Sequence, residues 1–152
     1  MSDGSKVVLD QINLVSGDPE ASIAFYRRLG VEIREEAIWR TASGIHHVSA
    51  AHSESRAIDL DVDSVRFARV WNRGWQGRDD LGGKVVVGFR LASREAVDAT
   101  YADLTAAGYK GLQAPYDAFW GARYAVVEDP DGIAVGLMSP RSAQLGAAPP
   151  EL

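Results

Sequence analysis

A chain of 152 residues, 46% hydrophobic and 24% charged, has the composition of an ordinary globular protein and is long enough for one domain, or two half-size modules, with a buried core. The net charge of −5 argues against general binding to nucleic acid or anionic membranes, and the lack of cysteine excludes disulfides, zinc–thiolate sites and cysteine nucleophiles. The opening MSDGSK lacks the apolar core of a signal peptide and no run approaches membrane-spanning length, so the cytoplasm is the expected compartment.

Val7–Val15 reads as a first strand. Period-two geometry puts Val8, Ile12 and Leu14 on one face, with Asp10 the odd member, and Leu9, Gln11 and Asn13 on the other. A helix follows at once: Asp18 as N-cap, Pro19 at the first helical position, Glu20 in the first turn, and Ser22, Phe25, Tyr26 and Leu29 on one side. Gly30 suits a left-handed stop. Three strands are expected next, at Val31–Trp39, His46–His52 and Arg56–Val62, with Ala42-Ser43-Gly44 turning between the first two. Asp63–Gly83 then breaks the pattern, with Arg66, Arg69, Arg73 and Arg78 beside Trp71 and Trp75, and reads as a short helical turn and a crossover linker.

The order then repeats. Lys84–Leu91 is a strand with Val85, Val87, Phe89 and Leu91 on one face and Lys84, Val86, Gly88 and Arg90 on the other. Ser93 caps a helix whose stripe is Val97, Tyr101 and Leu104, and Gly108 ends it. Strands are expected at Tyr109–Ala114, Arg123–Glu128 and Ile133–Met138, with Asp129-Pro130-Asp131-Gly132 as the turn between the last two. The Ala-, Pro- and Gly-rich tail after Pro140 is expected to be poorly ordered. Glu20, Ala21, Ala24, Tyr26 and Leu29 recur at a constant offset of 75 residues as Glu95, Ala96, Ala99, Tyr101 and Leu104, which points to an internal duplication. The expected fold is α+β: one domain of two β-α-β-β-β modules, at 7–62 and 84–140, joined by a linker at 63–83 and trailed by a tail at 141–152.

Two such modules, with D-x-x-x-S-I-A-F-Y-R-R-L-G from Asp18 to Gly30 and E-D-P-D-G-I-A-V-G-L from Glu128 to Leu137, resemble the vicinal oxygen chelate superfamily of glyoxalases, extradiol dioxygenases and bleomycin-resistance proteins. The resemblance implies a curved mixed sheet around a cup, helices outside, and in metal-dependent members a divalent ion held by four side chains. Those four positions fall on Gln11, Asp59, Val86 and Gly136. Valine and glycine side chains cannot coordinate a metal, and one amide with one carboxylate is too few donors for a hard divalent ion. His46 and His47 are neighbours on a strand, point to opposite faces and cannot chelate together. The expectation is therefore no metal and no cofactor.

The same parity predicts the lining of the implied cup. Gln11 and Asn13, with Ala57, Asp59 and Asp61, would make a polar, acidic wall; Val86 and Gly88, with Ala134, Gly136 and Met138, a small, apolar one. Trp39, His47, Trp120 and Tyr124 are further candidates, the aromatics for stacking on a flat guest. Asp59 and Asp61 would favour a cationic or hydrogen-bond-donating ligand. Asp59, Asp61 and His47 are the candidates for metal-free acid–base work, although no nucleophile–base–orienter set is visible. The leading expectation is a metal-independent protein that sequesters a small aromatic or amphipathic molecule. The alternatives are an enzyme of the superfamily (a lyase, isomerase, hydrolase or dioxygenase with a metal-free or unusual site) and a regulatory module with a filled cup. A small-molecule ligand and a homodimer, with Trp71 or Trp75 at its interface, are the expected partners; nucleic acid and membrane are not.

Overall fold

The computed structural model describes residues 11–49, 58–74 and 84–151. Within them the chain runs β1 (Gln11–Ser16), α1 (Pro19–Leu29), β2 (Ile38–Thr41), β3 (Gly44–Ser49), β4 (Asp59–Ser64), α2 (Val65–Trp71), β5 (Val86–Arg90), α3 (Arg94–Ala106), β6 (Gly111–Asp117), β7 (Arg123–Glu128) and β8 (Ala134–Met138). Contacts divide the chain into two compact units, residues 1–77 and 78–152. Each holds one four-stranded mixed sheet, in the orders β1-β4-β3-β2 and β5-β8-β7-β6, so the fold is α+β. Residues 7–10, 50–57 and 75–83, where parts of the expected strands, Ala57 and Trp75 fall, lie outside the described residues.

In the first unit, α1 begins where Asp18 Oδ1 accepts the Ala21 N–H at 3.1 Å and ends at Gly30, whose φ of 113° is left-handed. Its inner side docks on one face of the sheet: Ser22 Oγ meets Ser16 Oγ at 2.7 Å, Phe25 and Tyr26 are fully buried, and Leu14, Val48 and Val62 of the strands are buried too. Burying Phe25 alone is worth about 1.5–3 kcal/mol. The strand expected at Val31–Trp39 starts only at Ile38. Arg27, in the last turn of α1, explains the delay. Its guanidinium donates to the Ile33 carbonyl at 2.7 and 3.0 Å and to Glu35 at 2.8 Å, and Glu35–Ala37 forms a single 3-10 turn. A carbonyl bound to arginine is lost to a strand ladder.

β4 runs two residues beyond the expected end at Val62. Its last residue, Ser64, accepts the Phe67 N–H at 3.1 Å and so caps α2. This short helix stands on the opposite sheet face from α1, because its Phe67 ring meets Trp39 and His47 at centroid distances of 5.2 and 5.9 Å.

The second unit is built likewise. Ser93 Oγ accepts the Ala96 N–H at 3.1 Å at the start of α3, and Val97 and Leu104 are fully buried. Asp129 Oδ1 accepts the N–H groups of Asp131 and Ile133 at 2.8 and 2.9 Å, closing the expected turn before β8. The segment after Pro140, expected to be poorly ordered, is held as far as Ala147: Ser142 N–H donates to the Gly121 carbonyl at 2.9 Å and Ala147 N–H to that of Phe119 at 2.7 Å. Gly121, at φ 85°, is what lets Ser142 approach, since a Cβ there would collide with the Ser142 carbonyl.

The duplication extends to strand register. Gln11 pairs with Asp59 and Asn13 with Asp61 in one unit; Val86 pairs with Ala134 and Gly88 with Gly136 in the other. All four positions keep the offset of 75 residues seen in the helices.

Candidate functional site

Register places an acidic cluster on the face of the first sheet turned away from α1. β1 contributes Gln11 and Asn13, β4 contributes Asp59, Asp61 and Asp63, β3 contributes His47 and Ser49, and β2 contributes Trp39. Asp63 is 1% exposed and fully engaged: Oδ2 accepts from Asn13 Nδ2 at 2.9 Å, and Oδ1 lies 2.5 Å from His47 Nδ1. A buried carboxylate needs such partners. Because an ionised carboxylate only accepts, the proton of neutral His47 sits on Nδ1. Nε2 is then an acceptor, and it faces Ser49 Oγ at 3.1 Å. The sequence shows no nucleophile–base–orienter set; the fold brings Ser49, His47 and Asp63 into one hydrogen-bonded row.

Asp61 lies between Asn13 and Ser49 in the register. It is 8% exposed and has no hydrogen bond or ion pair among the described residues. His46 diverges from His47 as parity requires. It is buried, and its Nε2 meets Thr41 Oγ1 at 2.6 Å and Ser43 Oγ at 3.2 Å. Half-exposed Trp39 packs edge-on to Phe67, so this acidic face also carries an aromatic border. A separate cleft of about 290 Å³ lies at the N-terminus of α1 and the β2–β3 turn, lined by Asp18, Glu20, His46 and Arg66. The Asp18 carboxylate already takes the helix-end position there.

The matching face of the second sheet is apolar. It carries Val86 and Gly88 from β5, Ala134, Gly136 and Met138 from β8, and Tyr124 and Tyr116 from β7 and β6. Trp120 stands between the tyrosines, with centroids 5.4 Å from Tyr124 and 6.3 Å from Tyr116, and Phe119 lies 5.1 Å away. The Trp120 indole N–H is buried with no partner among the described residues. Burial first, and then Tyr116, push the Tyr124 phenol above its ordinary range. Arg123 is spent on two carboxylates, donating to Asp98 at 2.8 Å and Asp117 at 3.1 Å.

Gly88 and Gly136 face each other across the β5–β8 ladder but differ in surroundings. Gly88 is exposed, with nothing within 4 Å of where a Cβ would stand. A Cβ on Gly136 would lie 2.8 Å from Tyr124 Oη. The space that glycine leaves is therefore filled by this chain's own tyrosine.

The four positions that the resemblance assigns to a metal do not fit one. Gln11 and Asp59 are register partners and give one amide and one carboxylate. Their counterparts at the offset of 75 are Val86 and Ala134, and Asp61 maps onto Gly136, beneath Tyr124. Whichever acid is counted, the second unit returns no donor.

A family model described as the Glyoxalase/Bleomycin resistance protein/Dioxygenase superfamily matches residues 8–137. No curated protein matches the chain. Among solved structures, a glyoxalase/bleomycin resistance protein/dioxygenase family enzyme from Burkholderia phytofirmans PsJN is similar at 20% identity and TM-score 0.69, covering 88% of this chain and 98% of its own. An antibiotic-binding protein from a Streptomyces species is similar at 22% identity and TM-score 0.60, covering 90% and 98%. A bleomycin resistance determinant encoded on a transposon is similar at 22% identity and TM-score 0.56, covering 90% and 100%. At such identities the structures show a shared fold. With the family match spanning nearly the whole chain, this protein belongs to the glyoxalase/bleomycin resistance protein/dioxygenase superfamily.

Proposed function

We propose that this chain is a metal-independent binding protein for a small aromatic or amphipathic organic molecule that carries positive charge, of the sequestering, drug-resistance kind. One observation carries the reading: Asp61, more than nine-tenths buried, has no partner among the described residues and sits in a row with Asp59 and Asp63. The Asp61 carboxylate keeps some exposure, and a cation seated against it gains a charge-assisted contact there. Trp39 and Phe67 border the same face and supply flat apolar area for the ligand's body. The tyrosines with Trp120 are a second aromatic surface, and the unpaired Trp120 N–H suits a ligand acceptor. Two similar structures, named for antibiotic binding and bleomycin resistance, lend support by analogy. Exposed Val70 and Trp71 on α2 suit a homodimer interface.

The test is native mass spectrometry on protein purified without added metal or chelator, followed by titration with metal-free bleomycin and with a planar cationic dye. The expected result is a metal-free dimer that binds at least one probe stoichiometrically, releases it unchanged, and binds it at least about tenfold more weakly as Asp61→Asn, the loss of one charge-assisted contact. One tightly held divalent ion per chain, or binding indifferent to Asp61→Asn, overturns the reading.

A further inference from the structure

We propose that Ser49, His47 and Asp63 form an acyl-transfer relay that cleaves activated esters, and that Asp61 beside it selects esters bearing a cationic group. This goes beyond the binding reading: a ligand with no acyl group would be held unchanged. The connectivity is the argument. Ser49 Oγ lies 3.1 Å from His47 Nε2, and His47 Nδ1 lies 2.5 Å from Asp63 Oδ1. Asp63 is 1% exposed and is also held by Asn13 at 2.9 Å, so the carboxylate that orients the imidazole is itself fixed. The His47 side chain is 29% exposed, with the Phe67 ring 5.9 Å away, and Ser49 is partly exposed. The orienter is thus dry while the nucleophile and base remain within reach of a ligand. The same roles and contacts recur on unrelated folds, where they are recognised by geometry.

The step balances without a cofactor. Ser49 Oγ attacks the ester carbonyl carbon as its proton passes to His47 Nε2. The tetrahedral adduct collapses, the bond from the acyl carbon to the leaving oxygen (sulfur in a thioester) breaks, and Nε2 returns the proton to that departing atom. A water then attacks the acyl carbon, giving its proton to Nε2. The bond to Oγ breaks, Oγ regains the proton, and a carboxylic acid leaves. A positioned general base contributes about 10²–10⁴-fold to such a reaction. Asp61, the register neighbour of Ser49, places a negative charge next to the acyl site.

The experiment uses 4-nitrophenyl acetate and acetylthiocholine as probes, with release followed optically and the acyl adduct located by peptide mass spectrometry. The expected result is one acetyl group on the peptide bearing Ser49, lost in Ser49→Ala and His47→Gln together with about 10²-fold or more of the release rate. Asp63→Asn, a change in a positioning residue, is expected to slow release and to alter the His47 ring nitrogen shifts that report its tautomer. Asp61→Asn is expected to lower kcat/KM for acetylthiocholine at least about tenfold more than for 4-nitrophenyl acetate. No adduct, an adduct elsewhere, or release unchanged in Ser49→Ala overturns the relay; equal effects of Asp61→Asn on both probes overturn the cationic preference.

Discussion

Gly88 and Gly136 are register partners on one sheet face, yet the same substitution is expected to have opposite signs at the two sites. Neither has the positive φ that would strain an alanine, so backbone entropy alone favours the change at both. Restricting the unfolded chain stabilises by about 0.4–1 kcal/mol. At Gly88 nothing lies within 4 Å of the new methyl, so Gly88→Ala should keep that gain. At Gly136 the methyl would stand 2.8 Å from Tyr124 Oη and 3.2 and 3.3 Å from two ring carbons, so the ring must turn away. That disturbs its edge-on contacts with Trp120 at 5.4 Å and Tyr116 at 6.2 Å, each worth about 0.5–1.5 kcal/mol. The loss of about 1–3 kcal/mol exceeds the entropic gain, leaving Gly136→Ala destabilised by about 0.5–2 kcal/mol. Urea unfolding of both single variants, of Tyr124→Leu and of Gly136→Ala with Tyr124→Leu reads the difference. Added to Tyr124→Leu, the Gly136→Ala change should cost little, a coupling expected only of residues in contact. Two stabilised single variants would mean that Tyr124 does not fill this space, and that Gly136 leaves room for a guest instead.

Three further outcomes follow from other parts of the fold. Asp18→Ala removes the acceptor for the Ala21 N–H and should cost about 1 kcal/mol in urea unfolding, with α1 the first helix to lose amide-exchange protection. Gly121→Ala collides with the Ser142 carbonyl and strains a φ of 85°, so residues 142–147 should detach and become cleavable by a nonspecific protease while β7 and β8 stay protected. Tyr124 should ionise above the ordinary phenol value of 10.0, because burial disfavours its anion. The folded pKa is raised, so the stability tied to this group is complete below pH 10 and is lost as pH climbs through the raised value. Absorbance titration should show a late phenolate that vanishes in Tyr124→Phe, and a titration with no late component would refute the assignment.

Much of this was legible because strand parity is rigid. Gln11, Asn13, Asp59 and Asp61 share one face, and Val86, Gly88, Gly136 and Met138 another, as alternation demands. The capping residues Asp18 and Ser93 announce α1 and α3 because a short polar side chain ahead of an apolar stripe has one economical use. The misses come from contacts that no local pattern encodes. Val31-Glu32-Ile33-Arg34 alternates like a strand, but its backbone is engaged elsewhere: the Val31 N–H donates to the Tyr26 carbonyl, and the Ile33 and Arg34 carbonyls accept from Arg27 and the Ala37 N–H. Asp63 escapes the sequence reading because the expected strand ends at Val62; one residue more sets it on the face of Asp61. Its pairing with His47 depends on the β3–β4 register, fixed through a connection longer than any hairpin rule covers. Ser49 needs no register: two residues from His47 on one strand, it shares that face by parity.

The two units show how one backbone plan separates into two chemistries. The β1–β4 and β5–β8 registers match, and there the divergence lies in the side chains: Asn13 against Gly88, Asp59 against Ala134, Asp61 against Gly136, Asp63 against Met138. Across the antiparallel ladders, His47 opposite Asp63 corresponds to Tyr124 opposite Met138, and Trp39 opposite His47 to Tyr116 opposite Tyr124. Each acidic position in the first unit thus meets a small or apolar one in the second. A metal cage drawn evenly from two copies needs donors in both, and this pattern removes them from one while concentrating carboxylates in the other. Three like-charged side chains on one strand face repel one another. Asn13 and His47 neutralise the cost for Asp63 but leave Asp61 bare among the described residues.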